Sequence, residues 1–203
     1  MSTITRETNE TRISVELARG AGAADVETGE RFLDHMLATF ARYAALDLTV
    51  RARGDLRHHL IEDVAICVGA AVADLLPQSA ARYGDRTVPM DDALVHCAID
   101  VGGRPYYRGP LPSTLYDHWM RSFADNARAT LHLRVLRGAD RHHVVEAAFK
   151  ALGLALRDAL AETGDDGAVF STKGAVRLRE EEDGAREEPV APRPVPRVPR
   201  PEC

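Results

Sequence analysis

Cysteine is scarce in this 203-residue chain, and its three cysteines follow no pattern. Cys67, Cys97 and Cys203 form no Cys-x-x-Cys pair, and an odd, unpatterned count is typical of reduced thiols rather than of a disulfide framework. Long apolar runs are lacking too, because the most apolar stretch, residues 64–76, is too short to cross a bilayer and contains Asp74. We therefore expect a cytoplasmic protein without a membrane-spanning segment.

An excess of positive charge is also lacking. The formal net charge is −5, which excludes a bulk basic field that would attract nucleic acid or an anionic membrane. The N-terminal stretch MSTITRETNETR contains no apolar core, so we expect no signal peptide. With 45% hydrophobic and 28% charged residues, the composition is typical of a soluble globular protein of one domain or two small fused halves.

The sequence does contain one unusual pattern twice. Arg-His-His-x-x-Glu occurs at residues 57–62 and again at residues 141–146, an offset of 84. The same offset also matches glycines, alanines, aspartates and leucines around the motif. Upstream, DHMLATFA (34–41) aligns with DHWMRSFA (117–124) at an offset of 83. Such self-similarity indicates an internal duplication.

Hydrophobic periodicity predicts helices and strands in both halves. Apolar residues recur with helical spacing in some segments and alternate with polar residues in others. Helices are predicted at 31–46, 58–76, 115–129 and 142–162, strands at 11–18, 47–54 and 130–138, a strand that enters a Gly-Gly turn at 89–107, and a turn-rich segment at 20–29.

These patterns predict an α+β protein with an internal duplication of two similar halves, each a sheet with helices packed on one face. We expect residues 1–88 to form the first half of the domain and residues 89–179 to form the second. Residues 180–203 hold six of the eleven prolines and no aromatic residue, so we expect a disordered Pro-rich tail there.

The repeated motif favours metal binding. Its first histidine and its glutamate are four residues apart and share a helix face, so both can reach one ion. Its second histidine diverges by roughly 100° and is expected to face another ion or another subunit. Imidazole and carboxylate ligands together suit Mn²⁺, Fe²⁺ or Zn²⁺. The residues concerned are His58, His59 and Glu62 in the first copy and His142, His143 and Glu146 in the second.

Other interpretations of single residues stay open. A lone histidine on an apolar helix is more often a hydrogen-bonded core residue, and histidine pairs can act as pH switches, although neither role requires the repeated glutamate. Arg82, Arg104, Lys150 and the STKG stretch at 171–174 are candidate anion contacts, for which a structural role is an equally good interpretation. FLDHML alone fits an ordinary amphipathic helix in which His35 is buried.

Several motifs taken together resemble one known family. They are RETNETRISVEL, TGERFLDHML, GDLRHHLIEDVAI, RYGDRTVPMDDAL, GGRPYY, TLHL, RHHVVEAAFKAL and STKG, and they cover roughly residues 6–176 in family order. The chain resembles the imidazoleglycerol-phosphate dehydratases of histidine biosynthesis. The resemblance implies the removal of water from D-erythro-imidazole glycerol phosphate to give imidazole acetol phosphate.

The resemblance also implies ligands and an assembly. Family members normally hold two Mn²⁺ ions per active site, between subunits of a 24-subunit shell built from trimers. One ion would be bound by His58, Glu62, His132 and His143. The other would be bound by His35, His59, His142 and Glu146.

Further roles follow from the same resemblance. Glu10 looks like the family's acid–base carboxylate and is preferred to Glu7, because it directly precedes the strand pattern. The residues that match the phosphate-binding positions are Arg82, Arg104, Lys150, Ser171 and Lys173.

The chain departs from the family pattern in three places. Tyr43 stands where the family usually has histidine, Asp140 replaces the usual asparagine, and about three residues are lacking before His58. None of these changes removes a proposed ligand, so they bear on rate and substrate tolerance more than on reaction class. Two alternatives stay open: a metal-stapled scaffold without turnover, and a related enzyme with a different phosphorylated substrate.

Overall fold

The computed structural model describes residues 1–163, which form two four-stranded sheets and four long helices. The order strand, strand, strand, helix, strand, helix occurs twice. The first half contains β1 Ser2–Glu7, β2 Thr11–Arg19, β3 Ala24–Glu27, α1 Arg31–Ala44, β4 Leu46–Gly54 and α2 Arg57–Asp74. The second half contains β5 Tyr83–Met90, β6 Ala93–Asp100, β7 Tyr106–Arg108, α3 Thr114–Asn126, β8 Thr130–Arg137 and α4 Arg141–Ala159.

The two sheets have the same topology. The first has the strand order β1-β2-β4-β3 and the second the order β5-β6-β8-β7. In each sheet the short third strand of the half, β3 or β7, runs parallel to its neighbour, and all other pairs are antiparallel. The predicted fold class, two similar α+β halves, is therefore confirmed.

Each sheet buries one face because its strands alternate. Along β2, Ile13, Val15 and Leu17 are buried whereas Arg12 and Glu16 are exposed. The buried face packs against the helices of the same half, while α1 packs against α4 and α2 against α3. The helices thus form an inner layer between the sheets, which is why α2 is apolar on most of its sides. Within residues 1–163, every helix is too short or too polar to span a bilayer.

Aromatic side chains join the two halves at the centre. Trp119 in α3 has no exposed surface, and its ring lies 4.6 Å from that of Phe149 in α4 and 6.3 Å from that of Phe40 in α1. One continuous hydrophobic core therefore serves both halves. The boundary predicted at residues 88 and 89 stays a prediction, and the predicted tail at 180–203 lies outside the described residues.

Local predictions differ from the structure at the sheet edges. The segment predicted as turn-rich, 20–29, contains β3. The segment 89–107, predicted as a strand entering a Gly-Gly turn, contains the end of β5, then β6, and then β7 after Gly102 and Gly103. The N-terminal strand β1 was not predicted at all. Of these strands, β1, β3 and β7 lie at sheet edges and are short or polar, since backbone pairing with one neighbour holds them in place.

The first turns of the four helices come together at one end of the molecule. The ring of Phe32 in α1 lies 5.0 Å from that of Tyr116 in α3 and 5.1 Å from that of His142 in α4. At the start of α2, Arg57 Nε donates to Glu30, which immediately precedes α1, at 2.7 Å. The positive ends of several helix dipoles therefore meet here, together with most of the predicted site residues.

Candidate functional site

The most compact group of potential ligands lies in the second motif. His142 Nε2 lies 3.2 Å from Glu146 Oε2, one helical turn away, and His35 Nε2 from α1 lies 3.3 Å from the same oxygen. The ligand atoms of all three side chains lie within 4.8 Å of one another. Two imidazoles and a carboxylate are a donor set that suits a divalent transition metal, so these residues fit the predicted role.

The carboxylate of Glu146 is kept in its charged form. It is only 7% exposed, and burial alone raises the pKa of its carboxyl group. The Lys150 ammonium, 3.0 Å from Oε1, and His35 outweigh this effect and hold the pKa of Glu146 below its usual range. Because Lys150 contacts Oε1 while the histidines face Oε2, one carboxylate can serve the ammonium and a metal ion together.

The first motif pairs its first histidine with its glutamate in the same way, but with more exposed side chains. His58 Nε2 lies 3.4 Å from Glu62 Oε2, and both side chains are more than two-fifths exposed. His118 in α3 approaches the same nitrogen of His58. His118, which aligns with His35 in the stretches DHML and DHWM, thus lies beside the first motif but belongs to neither compact group of potential ligands among residues 1–163.

A second compact group surrounds His59. Its Nδ1 lies 3.0 Å from Asp55 Oδ1 and 3.4 Å from Glu10 Oε2. Glu10 belongs to the turn between β1 and β2, and Asp55 to the two-residue connection between β4 and α2. The hydrogen bond with Asp55 raises the pKa of His59 and lowers that of Asp55. The predicted acid–base carboxylate thus lies beside a predicted ligand, within one 4.8 Å group.

His143 is held in a similar way. Its Nδ1 lies 2.7 Å from Oδ1 of Asp92, in the turn between β5 and β6. The hydrogen bond from the backbone N–H of Ala139 and, to a smaller extent, the hydrogen bond with His143 lower the pKa of Asp92 to about 2. In both motifs, therefore, the second histidine has a carboxylate near Nδ1, and Nε2 of His143 also lies 3.4 Å from Oδ2 of Asp91. No sequence pattern indicated that Asp92 belongs to the site. Asp92 follows β5, whereas the residues it contacts, Ala139, Asp140 and His143, follow β8.

The comparisons with known proteins decide the family. A family model described as imidazoleglycerol-phosphate dehydratase matches residues 28–156. The chain belongs to the imidazoleglycerol-phosphate dehydratase family. The enzyme of that name from Salinibacter ruber is 48% identical over 191 residues, covering 86% of this chain and 95% of the relative. The enzyme class predicted from the sequence, a dehydratase, is confirmed.

Solved structures of the family share the fold. The crystal structure of the Pyrococcus furiosus protein superimposes with a TM-score of 0.76 at 40% identity, covering 85% of this chain and all of the other. The Staphylococcus aureus enzyme gives a TM-score of 0.70 at 32% identity, covering 80% of this chain and all of the other. The dehydratase family is therefore shown by sequence and fold alike.

One predicted ligand stands apart from these groups. His132 lies on β8 with an exposed side chain, and its ring is 5.5 Å from that of Tyr106. Among residues 1–163, it belongs to neither compact group of potential ligands. Its predicted role as a ligand, like the division of the ligands into two ion sites, stays a prediction.

The predicted phosphate-binding residues differ in whether their charged groups already form ion pairs with carboxylates. Arg82 donates to Asp100 at 3.0 Å, and Lys150 pairs with Glu146. Arg104 is exposed and forms no ion pair with any residue between 1 and 163. Ser171 and Lys173 lie outside the described residues. Of the described candidates, Arg104 thus offers the guanidinium most accessible to an anion.

The three departures from the family pattern occupy ordered positions. Asp140 caps α4, since its side chain accepts from the His142 backbone N–H at 2.7 Å. The Lys150 ammonium lies 5.8 Å from the centre of the Tyr43 ring, so Tyr43 adjoins the Glu146 group. Only Asp55 and Leu56 connect β4 to α2.

Proposed function

We propose that the chain catalyses the metal-dependent dehydration of D-erythro-imidazole glycerol phosphate to imidazole acetol phosphate in histidine biosynthesis. The observation that carries the metal dependence is the group of His35, His142 and Glu146, in which two imidazoles converge on one buried carboxylate. Membership of the dehydratase family supports the reaction and the small-molecule substrate.

The proposed cofactor is two Mn²⁺ ions per active site, with other divalent transition metals as substitutes. One ion is assigned to His58, Glu62, His132 and His143. The other is assigned to His35, His59, His142 and Glu146. The chemistry that such cations supply is the stabilisation of negative charge on the imidazole of the substrate.

The chain's own residues then move protons and hold the substrate. The reaction removes a hydrogen from one carbon and the hydroxyl from its neighbour, and the resulting enol tautomerises to the ketone. Glu10 is assigned to carry the proton between substrate carbon and oxygen, which its exposed position beside His59 allows. The phosphate is assigned to Arg82, Arg104, Lys150, Ser171 and Lys173, which would position the reacting carbons.

We also propose that the active sites form between subunits of a homo-oligomer, a 24-subunit shell in the cytoplasm. The support is that His132 belongs to neither compact group among residues 1–163, so its ligand role calls for another copy of the chain. His142→Ala is then expected to weaken metal binding and assembly together. Light scattering and metal analysis of that variant test this, and a fully metallated assembly of unchanged size would contradict it.

One observation favours a related phosphorylated substrate as the second candidate. The short connection between β4 and α2 borders an open hollow of about 560 Å³, which is lined by Glu30, Asp55, Leu56 and Arg57 among others. This open hollow leaves room for a substrate with a bulkier ring or chain.

A turnover assay separates these functions. Purified full-length chain with Mn²⁺ is expected to convert imidazole glycerol phosphate to a product lighter by one water, detected by mass spectrometry. Faster turnover of a larger phosphorylated analogue would favour the second candidate. Metal binding without turnover of either compound would support a scaffold and contradict the proposal.

A further inference from the structure

A chain of hydrogen bonds joins Asp63 in α2 to the turn that carries Glu10. The hydroxyl of Thr11 donates to the Asp63 carboxylate and lies 3.1 Å from the hydroxyl of Thr8. Thr8 Oγ1 accepts from the backbone N–H of Glu10 at 3.1 Å. Because a hydroxyl has a single hydrogen and Thr11 uses its own on Asp63, Thr8 must donate to Thr11. From the Glu10 N–H onwards, each donor therefore points towards the Asp63 carboxylate.

The Asp63 end of this chain is buried and held firmly. Asp63 is 9% exposed and Thr11 is 4% exposed. The other carboxylate oxygen of Asp63 lies 3.0 Å from Nε of Arg6 on β1, so one side chain of α2 holds both strands of the hairpin. On the opposite side of the turn, the Glu10 carbonyl accepts from the Asp55 N–H at 3.0 Å. The Glu10 backbone is thus fixed at both its N–H and its C=O.

The second half of the chain has two alanines where the first half has Thr11 and Asp63. Thr11 is the first residue of β2, and Ala93 is the first residue of β6. Asp63 matches Ala147 at the offset of 84 that relates the two motif helices. Both alanines are buried, so the same fold packs there without a hydroxyl or a carboxylate. Since a buried charged group adds little stability compared with apolar residues, packing alone gives no reason for the polar pair.

The difference between the halves follows the carboxylate in each turn. The Asp92 carboxylate accepts directly from the N–H groups of Ala139 and Asp140, so it needs no support through the backbone of its own turn. The Glu10 side chain is more than half exposed, beside His59. Its position depends on a rigid backbone, and a displacement of about 1 Å can cost about 100-fold in rate.

We propose that Asp63, acting through Thr11 and Thr8, is a positioning residue for the acid–base carboxylate of Glu10. The inference rests on the acid–base role of Glu10 in the proposed function. Breaking the chain loosens the turn, so proton transfer should slow while the affinity for substrate and metal is kept.

Steady-state kinetics of chain-breaking variants test this inference in the full-length protein. Thr11→Ala/Asp63→Ala gives the first half the alanine pair of the second, and circular dichroism checks its fold. Thr8→Ala breaks the chain at an exposed residue and decides the question if the double variant fails to fold. We expect both variants to lower kcat by about 10- to 100-fold, with KM and bound Mn²⁺ unchanged within about twofold. Thr8→Ser retains the hydroxyl and should keep the wild-type kcat.

Two further variants separate positioning from a general structural role. Asp74→Asn changes another carboxylate of α2, which accepts from Ser2 Oγ at 2.9 Å at the far end of the helix, and it should leave kcat unchanged. If the chain acts through Glu10, adding Thr8→Ala to Glu10→Gln should slow the residual turnover no further. A multiplicative loss in that double variant, or a loss of bound Mn²⁺ from Thr8→Ala, would overturn the inference.

The outcomes also separate this inference from the proposed function. If Thr8→Ala and Thr11→Ala/Asp63→Ala are as fast as wild type while Glu10→Gln is inactive, the inference is overturned and the role of Glu10 stands. If the wild type shows no turnover, or Glu10→Gln is as fast as wild type, the proposed role of Glu10 fails and the inference fails with it. A loss in kcat that Thr8→Ser rescues and that vanishes in the Glu10→Gln background supports the inference.

Discussion

The Asp92 carboxylate lies 2.7 Å from Nδ1 of His143. Glu10 approaches Nδ1 of His59 at 3.4 Å from the equivalent hairpin turn of the first half. The duplication has thus placed an acidic turn beside the second histidine of each motif. Asp92 is anchored by the N–H groups of Ala139 and Asp140, so it can hold an imidazole, whereas Glu10 is more than half exposed.

Asp92→Asn should therefore weaken metal binding. The amide keeps the size of the side chain but loses the charge that orients the His143 ring, and such partners are typically worth about 10- to 100-fold in metal affinity. Isothermal titration of chelator-stripped protein with Mn²⁺ measures the change. Asp85→Asn, on the exposed side of β5, is the matched control. Equal affinities in the two variants would show that Asp92 does not position His143.

Glu10→Gln should abolish turnover while metal content and assembly stay normal. Loss of a general acid–base group typically costs about 10²- to 10⁴-fold in rate. The control is Glu7→Gln, since Glu7 lies near the same turn but pairs with Arg12. The measurement is kcat with Mn²⁺ in excess. If the Glu10→Gln enzyme is as active as the Glu7→Gln enzyme, Glu10 is not the acid–base residue of the reaction.

Much of this architecture could be predicted because the duplication is visible in the sequence. The repeated motif and the periodicity of α1, α2 and α4 indicate helices and pair each first histidine with its glutamate. Contacts between distant segments could not be predicted. The hydrogen bond between Asp92 and His143 joins residues 51 positions apart. It depends on the register in which β5 pairs with β6, and the spacing of residues in the sequence does not indicate that register.

The phosphate residues illustrate the same limit. The sequence offers Arg82, Arg104 and Lys150 as equivalent cations, yet tertiary packing gives two of them carboxylate partners. Which cation remains available depends on where Asp100 and Glu146 lie after folding. Sequence alone therefore predicts the residue types of an anion site better than it predicts their availability.

Arg104→Ala should raise KM more than it lowers kcat. Its guanidinium has no ion-pair partner within residues 1–163, and a hydrogen bond to a charged group is worth about 1.5–3 kcal/mol, which corresponds to at least about 10-fold in KM. Arg42→Ala, in the last turn of α1 and away from His35, is the control. Steady-state kinetics decide the point. An unchanged KM would exclude Arg104 from phosphate binding.

Trp119→Ala should destabilise both halves together. The indole is fully buried among aromatic rings from α1, α3 and α4, and removing such a side chain typically costs about 3–5 kcal/mol. Urea unfolding at matched protein concentration, followed by circular dichroism, should show one transition at lower urea. Tyr83→Ala, on an exposed ring, should change stability by only about 0.5 kcal/mol. Two separate transitions would contradict a shared core.

Metal removal and restoration test the central claim most directly. The full-length chain is stripped with chelator, assayed with imidazole glycerol phosphate, and assayed again after titration with Mn²⁺. We expect no turnover without metal and full recovery when two ions are bound per subunit. Undiminished turnover by metal-free protein would contradict metal-dependent dehydration, as would two bound ions per subunit without any ketone product.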